Sequence, residues 1–199
     1  AKELTEHFKD HDGAIEAIGL AIKSFESLLS RDAKHAEARR YLSTAYGVRA
    51  EAQLRRDNYE DAIRDFSAAL KIAPVRLKVA YAASRAFCRA KLGRHAESWA
   101  EIDQIGSKAI QLGDGAVLVN LALTCQHCAH AATSDTSLTM EQRATLVERY
   151  SVGAIRFLSH CTSPDDVAYI QESADLREIL ARPDCPSHLR RPPQTKPGI

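Results

Sequence analysis

Between Asp57 and Pro74, apolar residues return at three- and four-residue intervals as Ala62, Ile63, Phe66, Ala69, Leu70 and Ile72. That spacing places them on one face of an α-helix. Asp57 and Asn58 precede it with short side-chain oxygens suited to the unpaired N–H groups of a helix start. Pro74 ends it, because proline disfavours helical geometry in the residue before it. Upstream, Ala36–Arg56 has no proline and one glycine, and Leu42, Ala45, Tyr46, Arg49, Ala50 and Gln53 form a mixed stripe. Only a very short turn separates the two segments, which predicts an antiparallel helical hairpin.

The pattern repeats along the chain. Arg76–Gly113 reads as helix, a break at the "LGRH" of Leu92–His95, then helix. Ala17–Ala38 reads as a second helix followed by the entry to the next hairpin. Phe25 recurs as Phe66 and Tyr59 as His95, at spacings of 41 and 36, periods typical of stacked helical repeats. "LGDGAV" (Leu112–Val117) has two glycines but no preceding strand and no phosphate-loop lysine, so it reads as a helix stop and restart. Another first helix, "GAVLVNLALTCQHCAHAATS", is followed by the polar "DTSLTMEQ". Its paired second helix, "RATLVERYSVGAIRFLSH", carries Leu146, Tyr150, Ile155 and Leu158 on its stripe. Pro164-Asp165-Asp166 opens a further helix, and "ADLREIL" is a short cap. The expected organisation is one helical-repeat domain over 1–181, with hairpins at 3–32, 36–73, 76–111 and 115–160 and capping helices at 164–181. The basic segment 182–199, where five of the seven prolines lie, is expected to lack a fixed fold or to lie extended.

Composition agrees with a helical reading: alanine is abundant, aromatics are 6% and only 9 of 199 residues are glycine. The formal net charge of +1 supplies no global field for nucleic acid or an anionic membrane. Basic clusters such as Arg49–Arg56 are interleaved with acids and read as solvated helix faces. No signal peptide and no apolar run long enough to span a bilayer is evident. The five cysteines, Cys88, Cys125, Cys128, Cys161 and Cys185, are odd in number and lack a small-scaffold spacing. Reduced thiols in a cytoplasmic protein fit them better than a disulfide framework. The chain opens at Ala1 without an initiator Met, as a piece of a longer protein would.

"NYEDAIRDFSAALKIAP" resembles the second helix of a tetratricopeptide repeat, with Ala62, Phe66, Ala69 and Pro74 at the small, aromatic, small and closing-proline positions and Tyr59 at the turn tyrosine. The repeat around Gly93 has Ser98 at the small position beside Trp99 and no closing proline. The repeat ending near Ala33 keeps Ala21, Phe25 and Leu28. The first-helix aromatic is Tyr46, then Ala82, so the repeats are divergent. The resemblance covers roughly residues 12–160. It implies an all-α fold: a right-handed superhelical stack of antiparallel helical hairpins, an α-solenoid. More narrowly, "AYGVRAEAQLRRDNYEDAIRDFSAALKIAP", "GDGAVLVNLALTCQHCAHAA", "LVERYSVGAIRFL" and "ADLREIL" resemble the repeat tail of certain large bacterial serine/threonine protein kinases. This chain contains no glycine-rich phosphate loop, "HRD" or "DFG", so kinase activity would belong to sequence outside it.

Candidate chemistry is thin. Cys125 and Cys128 form a CxxC with His127 and His130 nearby, but no second ligand pair follows as a zinc site would require. A redox pair belongs at a helix N-terminus, whereas this one sits late in an apolar helix. Core packing is the simplest reading, with metal or redox use as the alternative. His7 and His11 are i,i+4 without an accompanying HExxH glutamate. Asp165 and Asp166 read as first-turn acids favoured by the helix dipole. Ser159-His160-Cys161 lacks an orienting acid. No catalytic residue, metal site or cofactor is expected.

Stacked hairpins of this family present a concave face lined by first helices. The register places Thr44, Gly47, Glu51, Leu54 and Arg55 on the first groove helix. Ala80, Ala83, Phe87, Ala90 and Lys91 fall on the second, and Val119, Leu123, Gln126 and His127 on the third. The family's carboxylate clamp is not implied, since Gly47 and Glu51 stand at its asparagine and lysine positions. The expected function is a non-catalytic module binding a partner peptide or helix, without nucleic-acid binding or membrane insertion. Two alternatives are a structural or homodimerising spacer at the end of a larger enzyme and a small metal or redox protein using Cys125 and Cys128. The groove could also be filled by the chain's own N-terminal helix or tail.

Overall fold

The computed structural model describes residues 11–190. Among these are nine α-helices and no strand: α1 (His11–Arg31), α2 (Ala36–Leu54), α3 (Tyr59–Ile72), α4 (Val75–Lys91), α5 (His95–Leu112), α6 (Gly115–Ser134), α7 (Met140–Leu158), α8 (Pro164–Glu172) and α9 (Arg177–Leu180). A 3₁₀ turn follows at Ser187–Leu189. No helix among the described residues is long and apolar enough to cross a membrane. The chain divides into two compact units, 1–88 and 89–199. Residues 3–10 of the expected first hairpin lie outside the described residues, as does the His7/His11 pairing.

In the first unit α2 packs against α1 and α3. Its core gathers Ala50, Ala62, Phe66, Ala69, Ala73, Tyr81 and Cys88, with Tyr46, Leu54, Ile63, Leu70 and Leu77 packed around it. Phe66 is wholly buried, which contributes about 2–3 kcal/mol of transfer free energy. Ala62 and Ala69 on α3 and Ala50 on α2 carry the least bulk a side chain can, so the two helix axes approach closely around that ring. Phe25 of α1 stacks on Tyr41 of α2 with ring centroids 5.8 Å apart. Across the α2–α3 hairpin Arg49 grips Asp65 with two hydrogen bonds of 2.6 and 2.7 Å, a partly buried ion pair.

The start of α3 differs from expectation. Asp57 adopts a left-handed backbone, φ 59°, and so belongs to the turn. Asn58 occupies the N-cap position, but its side chain makes no cap bond and instead donates to the Gln53 side chain at 2.9 Å. Asn and Asp tolerate these turn geometries because their side chains bond locally.

In the second unit α6 packs against α5 and, most extensively, α7. "LGDGAV" does stop and restart a helix. Gly113 closes α5 in the left-handed conformation, φ 65°, and the Asp114 carboxylate caps α6 by accepting from the Val117 N–H. Thr139 and Gln142 form a reciprocal capping box that opens α7. Ser163 caps α8 with Pro164 in its first turn, and Asp165 and Asp166 are first-turn acids as expected. On α7 the deeply buried residues are Tyr150, Ala154, Phe157 and Leu158; Phe157, not Ile155, points into the core. Gly106 of α5 and Gly153 of α7 make room for rings: a β-carbon on Gly153 would lie 2.7 Å from Trp99, and one on Gly106 3.1 Å from Phe157.

The described part of the basic C-terminal segment is folded. Cys185 and Leu189 are buried, and Arg182 holds Glu148 with two hydrogen bonds of 2.8 Å. The Arg190 guanidinium donates to the carbonyls of Arg182, Pro183 and Cys185. Proline leaves carbonyls without N–H partners along the chain, and one arginine satisfies three of them at once.

Candidate functional site

On α2 the expected lining residues separate by exposure. Thr44, Glu51 and Arg55 are exposed, and Leu54 is half-buried against the core. Tyr41 and Val48, each 47% exposed, complete the row 41, 44, 48, 51, 55, whose three- and four-residue steps make one continuous stripe. Gly47 does not line an open face. It is buried, and a β-carbon there would lie 2.5 Å from the Tyr81 ring of α4, which packs over it. On α4, Ala83 is fully buried, while Ala80 and Phe87 are half-buried. Tyr41 and Val48 lie outside both the predicted apolar stripe of α2 and the expected groove register, so neither pattern named them.

On α6, Val119 is buried and Leu123 half-buried, so neither offers a broad open surface. Gln126 is only 2% exposed; it lies beneath the capping helix α9, its amide nitrogen donating to Glu178 at 2.8 Å. The same nitrogen lies 2.9 Å from His130 Nε2, one helical turn further on, and His130 Nε2 is 3.2 Å from the Glu178 carboxylate. The His130 bond holds the Glu178 carboxyl below its usual range, with Gln126 adding to the effect. Burial lowers the basicity of neighbouring His127, with exposed Lys91 acting in the same direction and Asp175 against it. The end of the third expected groove helix is thus covered by the chain's own cap. Sequence spacing brings Gln126 to His130, but nothing local announces Glu178.

Cys125 and Cys128 are wholly buried. The Cys128 thiol donates to the His95 carbonyl at 3.8 Å. Burial pushes the Cys125 thiol well up and Cys128 up to about 11. A redox or zinc pair needs accessible thiolate, which these surroundings oppose. Among the described residues no group of three or more His, Cys, Asp and Glu side chains is placed to hold a metal. Ser159, His160 and Cys161 do not converge: the Ser159 hydroxyl donates to the Arg156 carbonyl and the Cys161 thiol to that of Phe157.

One polar trio, with two of its members buried, went unforeseen. His95, 7% exposed, places Nδ1 2.9 Å from the Tyr150 hydroxyl and Nε2 3.1 Å from the Asp135 carboxylate. Asp135 only accepts, so in the neutral ring Nε2 carries the proton and Nδ1 accepts from Tyr150. With Tyr150 1% exposed, no substrate reaches the hydroxyl, and the trio ties the start of α5 to α7 and to the connection after α6. Comparison of the chain with protein-family models, with curated proteins and with solved structures finds no match in any of the three.

Proposed function

We propose that this chain is a non-catalytic protein-interaction module of tetratricopeptide-like helical hairpins. The observation that supports the reading is the exposed α2 stripe of Tyr41, Thr44, Val48, Glu51 and Arg55. Val48 stands open on this helix, and Tyr41, about half exposed although its ring stacks on Phe25 of α1, extends the same apolar surface. The occupant this face suits is a peptide or helix from a partner protein, with apolar side chains against Tyr41 and Val48 and a carboxylate for Arg55. The buried, raised thiols and the inaccessible Tyr150 favour this over enzymatic or redox readings.

The test is selection of peptides against the full chain from a displayed library, with binding measured for wild type, Val48→Glu and Tyr41→Ala. Selected peptides should protect α2 amides from hydrogen exchange and lose at least tenfold in affinity to Val48→Glu at an unchanged melting temperature. Binding indifferent to both substitutions would refute the assignment. So would light scattering showing a dimer that Val48→Glu dissociates, since a second copy would then occupy the face.

A further inference from the structure

We propose that a basic cleft between the start of α2 and the α3–α4 connection docks an acidic segment of a partner protein, one that carries an apolar side chain between its carboxylates. The site is separate from the α2 stripe and does not depend on it. Lys34, Arg39 and Arg40 line a cleft of about 420 Å³. The rest of its lining is apolar and includes Ala36 and Pro74, both exposed, and half-buried Ile72. Lys34 stands in the turn before α2, and Arg39 and Arg40 in the first turns of that helix. Among the described residues no acidic side chain pairs with Lys34 or Arg39. Arg40 donates to the neighbouring Tyr41 hydroxyl at 3.1 Å, which uses one of the five N–H groups of its guanidinium.

Charge is segregated onto the two segments that meet at this cleft. Residues 31–40 and 71–78 hold seven exposed arginines and lysines against two acids, Asp32 and Glu37, whereas the whole chain nets only +1. The remainder of the chain is therefore net negative. Neither acid answers the cations: the Asp32 carboxylate accepts from the Lys34 backbone N–H at 3.1 Å, and Glu37 sits in the first turn of α2. Cations gathered in this way set up a local positive potential that attracts a partner of opposite charge. The planar forks of Arg39 and Arg40 match carboxylates in pairs. The apolar lining then takes the partner's apolar side chain, as the centre of an interface with a charged rim does. A bare phosphate or a nucleic-acid backbone would leave that lining uncovered, which favours the acidic peptide.

The experiment is fluorescence anisotropy of the full chain with a labelled short peptide in which paired glutamates flank single leucines. Binding should saturate, weaken as salt is raised, and fall about tenfold or more with the exposed pair Lys34→Glu and Arg39→Glu. Peptides with glutamine for glutamate, or with serine for leucine, should each bind more weakly. Val48→Glu should leave the affinity unchanged, so the cleft and the α2 stripe stand or fall separately. The assignment is overturned by no saturable binding up to millimolar peptide, by indifference to the Lys34 and Arg39 substitutions, or by loss of binding in Val48→Glu. Equal binding of the serine peptide, displacement by inorganic phosphate at matched ionic strength, or tighter binding of a DNA oligonucleotide or of phosphatidylserine vesicles would overturn it too, since each marks a site for charge alone.

Discussion

The phenol ring of Tyr81 lies where a side chain on Gly47 would begin, 2.5 Å from the position of a β-carbon. The ring also leans on Phe66, its centroid 6.0 Å away, so it cannot swing inward to make room. Glycine within a helix costs about 1 kcal/mol relative to alanine, yet here the missing side chain lets α4 close on α2.

Gly47→Ala should therefore destabilise the protein, although alanine is the better helix former. Overpacking of this kind costs about 1–3 kcal/mol, enough to outweigh the propensity gain. Urea denaturation would measure it, and pairing Gly47→Ala with Tyr81→Leu should recover most of the loss. A Gly47→Ala variant as stable as wild type would show that the contact is loose.

Arg49 and Asp65 make a paired ion bridge with side chains 25% and 7% exposed. Arg49→Met strands a carboxylate against the core and should cost about 3 kcal/mol. Arg49→Met with Asp65→Leu should recover much of this, because the penalty lies in the unpaired charge more than in the lost attraction. A double-mutant cycle by chemical denaturation reads the coupling.

The Asp135 carboxyl is held down to about 2, by the Ser137 hydroxyl first and then by His95. A carboxyl depressed in the folded state stabilises the fold above its unfolded value, near 4, and loses that contribution as pH falls toward 2. Asp135→Asn should flatten the acid limb of melting temperature against pH between 4 and 2. An unchanged slope in that window would remove Asp135 from the account of acid unfolding.

All five cysteines are free and buried, and burial pushes Cys88 up to about 12 and Cys161 up to about 11. In native buffer at pH 8 they should resist a thiol reagent, and all five should react at once in denaturant. Rapid labelling of Cys125 or Cys128 in the folded protein would revive the redox reading.

Much of the fold was legible in local signals. The spacing of Ala62, Phe66 and Ala69 marked the buried side of α3, and Pro74 marked its end. Gly113 and Asp114 announced the break between α5 and α6, and Ser163-Pro164 the start of α8. The start of α3 was read less well, because Asn58 can bond to Gln53 as readily as to its own helix. Tyr41 and Val48 fell outside the predicted stripe and the groove register alike, since side-chain type says nothing of whether a neighbour arrives.

The sequence by itself determined that the described chain is helical and where most helices begin and end, because periodicity, prolines and capping residues act within one or two turns. Tertiary structure alone decided that Tyr81 covers Gly47, that Glu178 meets Gln126 and His130, and that His95 lies between Tyr150 and Asp135. It also decided that residues 182–190 fold back on the second unit through Arg182, Leu189 and Arg190. These partners are far apart along the chain. Whether they meet depends on the route of the backbone and on the balance of burial against unpaired polar groups, which no short window of residues contains.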